Sequence, residues 1–278
     1  MNKIYDLKLS NNHLYYLETA PSDIKTHIVN KSYTVDQTGM SDAFVFVFDD
    51  CVLKIRPYEN SIKDEVLMLN FLKHKLPVPH IIYETTSDHI HYMLMSKIQG
   101  EMACSKHLKK DYKRLIALLA KGLKMLWEVP IVSCPISITQ QERIQEGEKR
   151  YMNHDINERD IQHNYLALFD IQSIPQLIDW LKVHTFEDEL VLSHGDYCLP
   201  NIFIHHDDIS GFIDLGRSGA ASKWYDIALC YRSLIDNFEG IYKDGSYRDF
   251  NGNELFDALG ITPEWDKIWF YILLDELF

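Results

Sequence analysis

Apolar and polar positions alternate along the first third of the chain in a way that predicts strands. Phe44–Phe48 (FVFVF) and Cys51–Ile55 (CVLKI) flank Asp49 and Asp50, so the segment reads as a β-hairpin closed by two acidic turn residues. Ser61 followed by Asp64 has the form of a capping box. Val66, Leu67, Leu69, Phe71 and Leu72 then carry a helix to about Lys75, where Leu76-Pro77-Val78-Pro79 stops it. Ile90–Met95 (IHYMLM) predicts one more strand.

Beyond residue 98 the period changes. Tyr112, Leu115, Ile116, Leu119, Leu123, Leu126 and Trp127 recur three and four apart, as one buried helix face requires. A long helical stretch is expected from about Ile138 to Lys182. Two short strands follow, Asn201–His205 and Gly211–Asp214, joined by a polar turn, and helices close the chain. The organisation is therefore α+β. Residues 1–98 form a small β-rich lobe, an antiparallel sheet plus one helix, and residues 99–278 form a larger helical lobe. A cleft between two such lobes is a common place for a ligand.

Length and composition agree with this division without choosing a function. The 278 residues exceed one average domain, and 46% apolar with 25% charged residues are ordinary globular values. The net charge of −13 is more telling, because nucleic acids and anionic membranes both attract basic surfaces. Residues 1–98 carry a balance of −2 and residues 99–278 one of −11, so a cationic small molecule is expected on the second lobe. No apolar stretch approaches a membrane span, and the N-terminal MNKIYDLKLSNNHLYYLETA lacks the apolar core of a signal peptide. Five scattered cysteines, none in a CxxC pair, suit a reduced cytoplasmic protein.

Four polar pieces then stand in a definite order. Lys54 ends a strand after a hairpin, and Glu65 follows eleven residues later on the next helix. His194-Gly195-Asp196 is followed by Asn201, five residues past the aspartate, and Asp214-Leu215-Gly216 comes after the next strand. This is the order of a kinase site. Lys54 places a point charge beside the phosphates, and Glu65 holds its amine. Asn201 and Asp214 offer the oxygen ligands Mg²⁺ prefers, and Asp196 orients the attacking hydroxyl. The usual glycine-rich phosphate loop is missing. Thr38-Gly39-Met40-Ser41-Asp42 has one glycine, so Ser41 and the amides of that turn are the candidates to bind phosphate as a nest.

With these residues in view the chain resembles the aminoglycoside phosphotransferases, in their 3′-phosphotransferase branch. The resemblance rests on TGMSDAFVF, LPVP, LMS, SHGDYCLPNIF, SGFIDLGRSGAASKWYDIALCYRS and the terminal YILLDELF, and runs from about Gly39 to Phe278. It implies a two-lobed protein-kinase-like fold using two Mg²⁺ ions and ATP, with GTP as the alternative nucleotide. It implies Asp196 as the catalytic aspartate, Asn201 and Asp214 as metal ligands, and Lys54 with Glu65 at the phosphates. Met95, Ser96 and Ile98 fall in a hinge whose backbone would pair with adenine. The aminoglycoside's ammonium groups would meet Asp275, Glu276 and the carboxylate of Phe278, in a pocket shaped by Arg217 and Arg232. Two positions depart from relatives. Val52 stands where some stack an aromatic on adenine, and the loop Asn153–Asn164 carries Asp155, Glu158 and Asp160 but also Arg159 and two histidines.

Other readings of the same residues are blander. His194 is expected to brace its loop rather than react, and the resemblance implies that Asp226, after Trp224-Tyr225, braces the same loop. His205-His206-Asp207-Asp208 reads as a solvated hairpin tip, not a metal site. Cys198 reads as a packing residue. The competing functions are a kinase of the same fold acting on a choline-like or sugar hydroxyl, and a silent binding protein. A protein kinase is disfavoured, since no Ala-Pro-Glu follows the IDLG stretch and Arg217–Trp224 is short for an activation loop.

Overall fold

The computed structural model describes residues 13–36, 43–59, 61–187, 189–240, 247 and 249–278. Two short helices, α1 (His13–Thr19) and α2 (Ser22–Ile28), precede a five-stranded antiparallel sheet. Its strands are β1 (Thr34–Asp36), β2 (Phe44–Val47), β3 (Cys51–Pro57), β4 (Ile81–Ser87) and β5 (Ile90–Ser96), in the order β1-β2-β3-β5-β4. The predicted hairpin is β2–β3, with Val45 opposite Lys54. Helix α3 (Ser61–Leu72) lies between β3 and β4. Ser61 is its first residue and its hydroxyl turns to Glu59 at 3.5 Å, so the expected Ser61–Asp64 capping box is not the arrangement found. The helix also stops at Leu72, one turn before Lys75.

Side-chain alternation on β3 explains how the sheet is covered. Cys51, Leu53 and Ile55 point into a small core with Phe46, Phe48, Leu94, Tyr92 and Ile24 of α2. The opposite face, with Lys54 and Arg56, turns toward α3 and the cleft. On that side Met68, Leu69 and Leu72 of α3 and Met93 and Met95 of β5 join the main core of the second lobe.

That lobe contains β6 (Glu101–Met102), α4 (Tyr112–Trp127), α5 (Gln140–Met152), α6 (His163–Ala167), α7 (Ile174–Val183), β7 (Leu190–Ser193), β8 (Ile202–His205), β9 (Asp208–Phe212), β10 (Gly219–Ser222), α8 (Lys223–Phe238), α9 (Glu254–Leu259) and α10 (Trp265–Asp275). The helix foreseen on the Tyr112–Trp127 period is α4, capped by Asp111. The long helical stretch expected over 138–182 is instead three helices, α5 to α7. Helix α5 begins with a full capping box, Thr139 with Glu142. It ends before His154, which takes a left-handed conformation (φ 59°) that a continuing helix excludes. Strands β6, β8 and β9 form one small sheet, and β7 pairs with β10 in another. Among the described residues no helix is long and apolar enough to cross a membrane.

Candidate active site

Strand β3 delivers Lys54 to the base of the cleft, where the side chain is 8% exposed. Its Nζ donates to Glu65 Oε1 at 3.2 Å and to the Oδ1 of Asp214, from 160 residues away. Glu65 is itself 3% exposed, and its other oxygen accepts from Arg56 Nη2. Burial alone would depress the Lys54 amine. The Glu65 and Asp214 carboxylates outweigh it and hold the amine above its ordinary value. Lys54 in turn holds Asp214 below the usual carboxylate range. Asp214 has a left-handed backbone (φ 58°) and a side chain 46% exposed, which turns one carboxylate between Lys54 and open solvent.

The loop between β7 and the short turn Leu199–Asn201 carries Asp196. Three groups anchor it to buried Asp226 of α8. Ser193 Oγ donates at 3.0 Å, His194 N–H at 2.7 Å and Gly195 N–H at 2.9 Å. Burial pushes the Asp226 carboxyl up to about 7 against these bonds. Gly195 is obligatory, since it has φ +79° and a Cβ there would lie 2.0 Å from the Arg217 carbonyl oxygen. His194 is fully buried, which keeps its imidazole neutral, and Nδ1 accepts from the Asp196 N–H at 3.3 Å. It braces the loop, as does Tyr197, whose hydroxyl donates to the Leu119 carbonyl at 2.8 Å. Asn201 Nδ2 donates to Asp196 Oδ2 at 2.9 Å and to the Asp196 carbonyl at 3.0 Å. With its amide nitrogen so used, the side-chain oxygen of Asn201 remains for another partner. That oxygen and the half-exposed Asp214 carboxylate are hard donors of the kind Mg²⁺ takes, together with phosphate and water. Their chemistry fits the ion.

The strand leading out of the small sheet sits firmly. Met95 lies opposite Val52 on β3 and Ile81 on β4. Ser96 N–H donates to the His80 carbonyl at 2.9 Å and Lys97 N–H to the Asp50 carbonyl at 3.1 Å, so of these consecutive amides Ile98 N–H is the one without a partner among the described residues. The Ile98 side chain packs over Gly211 of β9, where a Cβ would lie 2.4 Å from Ile98 Cγ2.

At the other end of the cleft the C-terminus meets α8. Asp275 is 8% exposed and carries three partners: Arg217 Nη1 at 2.9 Å, Tyr225 OH at 3.0 Å and Arg232 Nη2. Burial opposes its ionisation, but the two guanidiniums hold the carboxyl below its ordinary range. Glu276 accepts from Gln162 N–H at 2.7 Å and from Arg232 Nη1 at 3.4 Å. Arg150 donates to the Leu277 carbonyl at 3.0 Å and to Phe278 O at 3.3 Å, and also to the Asp155 carbonyl at 3.3 Å. The guanidiniums of Arg143, Arg150 and Arg217 all lie within 6 Å of the Phe278 ring centre, the range of cation–π attraction. The loop bearing Asp155, Glu158 and Asp160 is thus drawn beside the C-terminus, and all three acids are exposed.

Burial raises the Glu276 carboxyl from 4.5 to about 7, reinforced by Asp275 and Asp236 and opposed by Arg232. A raised folded-state value means stability fully present below the unfolded value and lost as pH rises through the folded one. The protein is therefore expected to melt several degrees lower at about pH 8 than at about pH 5.5, with a shallower slope in Glu276→Gln. Equal slopes in the two proteins, measured by thermal melting, would remove Glu276 as the source.

Ser41 lies outside the described residues. The hairpin tip at His205–Asp208 pairs with α4 through Arg114–Asp207 and Lys121–Asp208, and among the described residues no group of three or more His, Cys, Asp or Glu side chains is placed to hold a metal. The five cysteines are free. Sequence reasoning overlooked Arg56, Arg143 and Arg150. Arg56 shares a strand face with Lys54, and Arg143 and Arg150 are seven apart on one helix face, so a period count over basic residues finds all three.

A lysine–glutamate pair on a small antiparallel sheet, facing an aspartate–asparagine loop and an Asp-x-Gly turn on a helical lobe, defines a kinase-like phosphotransferase. The comparisons agree. The profile of the phosphotransferase enzyme family matches residues 32–258. An aminoglycoside 3′-phosphotransferase of Enterococcus faecalis is 35% identical over 254 residues, which is 87% of this chain and 92% of that protein. Among solved structures, an aminoglycoside-3′-phosphotransferase of type VIII superposes with a TM-score of 0.78 at 18% identity, over 95% of this chain and 100% of its own. An aminoglycoside phosphotransferase from Streptomyces rimosus in complex with ADP and streptomycin gives 0.69 at 20%, over 98% of each chain. The chain belongs to the phosphotransferase enzyme family, among the relatives of the aminoglycoside 3′-phosphotransferases.

Proposed function

We propose that this protein transfers the γ-phosphoryl group of ATP, or of GTP, to the 3′-hydroxyl of an aminoglycoside and so confers resistance to it. The observation that carries the reading is the meeting of Lys54 and Asp214 across the cleft, beside the Asp196–Asn201 pair. Lys54, held by Glu65, binds the α- and β-phosphates. The purine lies against Val52 and Met95, with Ile98 N–H free to donate to it. Ser41, which the sequence offers for the phosphates, belongs to the same reading. Asp214 and Asn201 would hold Mg²⁺, two ions in this reading, which would supply positive charge to offset that of the phosphates. Asp196 accepts a hydrogen bond from the sugar hydroxyl and aims it at the γ-phosphorus, while Asn201 fixes the Asp196 rotamer.

The drug's ammonium groups are drawn by the −11 balance of residues 99–278. Asp155, Glu158, Asp160 and the Phe278 carboxylate form the open part of that surface. Asp275 and Glu276 form its buried floor, through Arg217 and Arg232. The division at residues 98 and 99, just past β5, and a reducing cytoplasmic setting for the free cysteines belong to the same reading.

The test is nucleotide-dependent release of ADP or GDP with kanamycin, neomycin and amikacin, with NMR of the product to place the phosphate. Drug-dependent release with phosphate on the 3′-oxygen is expected. Nucleotide binding with no release for any of the three would move the acceptor to a choline-like or sugar hydroxyl, which the fold alone does not distinguish.

A further inference from the structure

Glu65 has two cations on it, and only one belongs to the usual pair. Lys54 takes Oε1, and Arg56 takes Oε2 through Nη2. The two cations stand two apart on β3, so both side chains leave the same face of the strand toward α3. Glu65 is 3% exposed and Arg56 20% exposed, so the contact is largely shielded from water. Across the sheet Arg56 stands opposite His91 of β5, whose ring turns to Glu84 at 3.4 Å. Burial keeps that histidine neutral, so it does not compete with Arg56 for Glu65.

We propose that Arg56 is a positioning residue for the nucleotide: it neutralises half of Glu65 and fixes its rotamer, which leaves the Lys54 charge available to phosphate. The inference rests on Lys54 acting at the phosphates. A carboxylate with a single cationic partner draws that partner fully. Here Glu65 is shared, and Lys54 is shared in turn with Asp214. The group Lys54, Arg56, Glu65 and Asp214 carries two positive and two negative charges. With Arg56 on its second oxygen Glu65 stays balanced, so Lys54 faces an incoming anion rather than being withdrawn onto Glu65. A lysine at position 56 keeps the charge but has no planar fork, so it retains part of the effect.

The experiment compares wild type with Arg56→Met, Arg56→Gln and Arg56→Lys. Binding of a non-hydrolysable ATP analogue with Mg²⁺ is measured by calorimetry, KM for nucleotide and for kanamycin in the release assay, and folding by thermal melting. Met and Gln are expected to weaken analogue binding and raise nucleotide KM about tenfold, as loss of one charge-assisted bond does. Kanamycin KM stays within about twofold and Lys recovers most of the loss. Unchanged analogue affinity in a folded variant overturns the proposal, and so do equal shifts in both KM values. Loss of folding in both neutral variants with a normal Lys variant also overturns it, since Arg56 would then be a structural counter-ion only. The binding arm stands without turnover, so a wild type inactive on kanamycin refutes the substrate reading and leaves the Arg56 result interpretable.

Discussion

Replacing Asp196 by Asn is expected to lower phosphoryl transfer about a thousandfold while nucleotide affinity stays within about threefold. The side chain keeps its volume, and the loop keeps its anchors, because these run from Ser193, His194 and Gly195 to Asp226 and do not involve the Asp196 carboxylate. The carboxylate accepts from the Asn201 amide nitrogen on Oδ2 at 2.9 Å, with the Cys198 thiol beside it. An amide at 196 can still meet Asn201 by turning its oxygen that way, but it no longer accepts strongly from the substrate hydroxyl. The lost interaction is made in the transition state, so kcat falls and KM for nucleotide does not rise. The release assay together with analogue calorimetry reads both quantities. Turnover near that of wild type would show that the hydroxyl is oriented by another group.

The largest effect on stability is expected from Asp275→Ala. That carboxylate holds Arg217 and Arg232, whose side chains are 32% and 13% exposed, and accepts the Tyr225 hydroxyl. Removing it leaves two guanidiniums close together without their shared counter-ion, in surroundings with little water. Breaking a buried pair from one side costs about 3–5 kcal/mol, and with most of Arg217's exposed part able to rehydrate the lower end applies. For a chain of this size that corresponds to a melting temperature lower by about 10 °C. Asp275→Asn keeps the volume and the Tyr225 contact and is expected to lose less. A variant that melts with wild type would mean that both arginines swing to solvent, and that the floor of the acidic surface is not built on Asp275.

These two residues also show where sequence reading succeeds and where it stops. Asp196 was legible because its partner Asn201 is five residues away and both lie in one loop, so spacing alone encodes their meeting. The β2–β3 hairpin was legible for the same reason, since its two strands alternate and a two-residue acidic turn joins them. Lys54 and Glu65 are eleven residues apart on adjacent elements, still within reach of a local pattern. By contrast β10 (GAAS) has little intrinsic preference for a strand and becomes one because β7 lies beside it; tertiary context overrides weak propensity. The 138–182 stretch reads as one run although apolar residues thin out over 153–160; the left-handed turn at His154 ends the first helix there, and the following loop is held by Gln162 N–H on Glu276.

Local order along the chain therefore determined the two-lobed α+β plan, the hairpin, the α4 helix and the identity of the polar groups in the Asp196–Asn201 loop. Periodicity and turn chemistry act over a few residues, and those features need nothing further. The tertiary structure alone decided which charges meet: Lys54 with Asp214, Arg56 with the second oxygen of Glu65, Asp275 with Arg217 and Arg232, and Arg150 with the C-terminus. Coulomb attraction depends on distance in space and on exclusion of water, and neither quantity is written in the order of the residues.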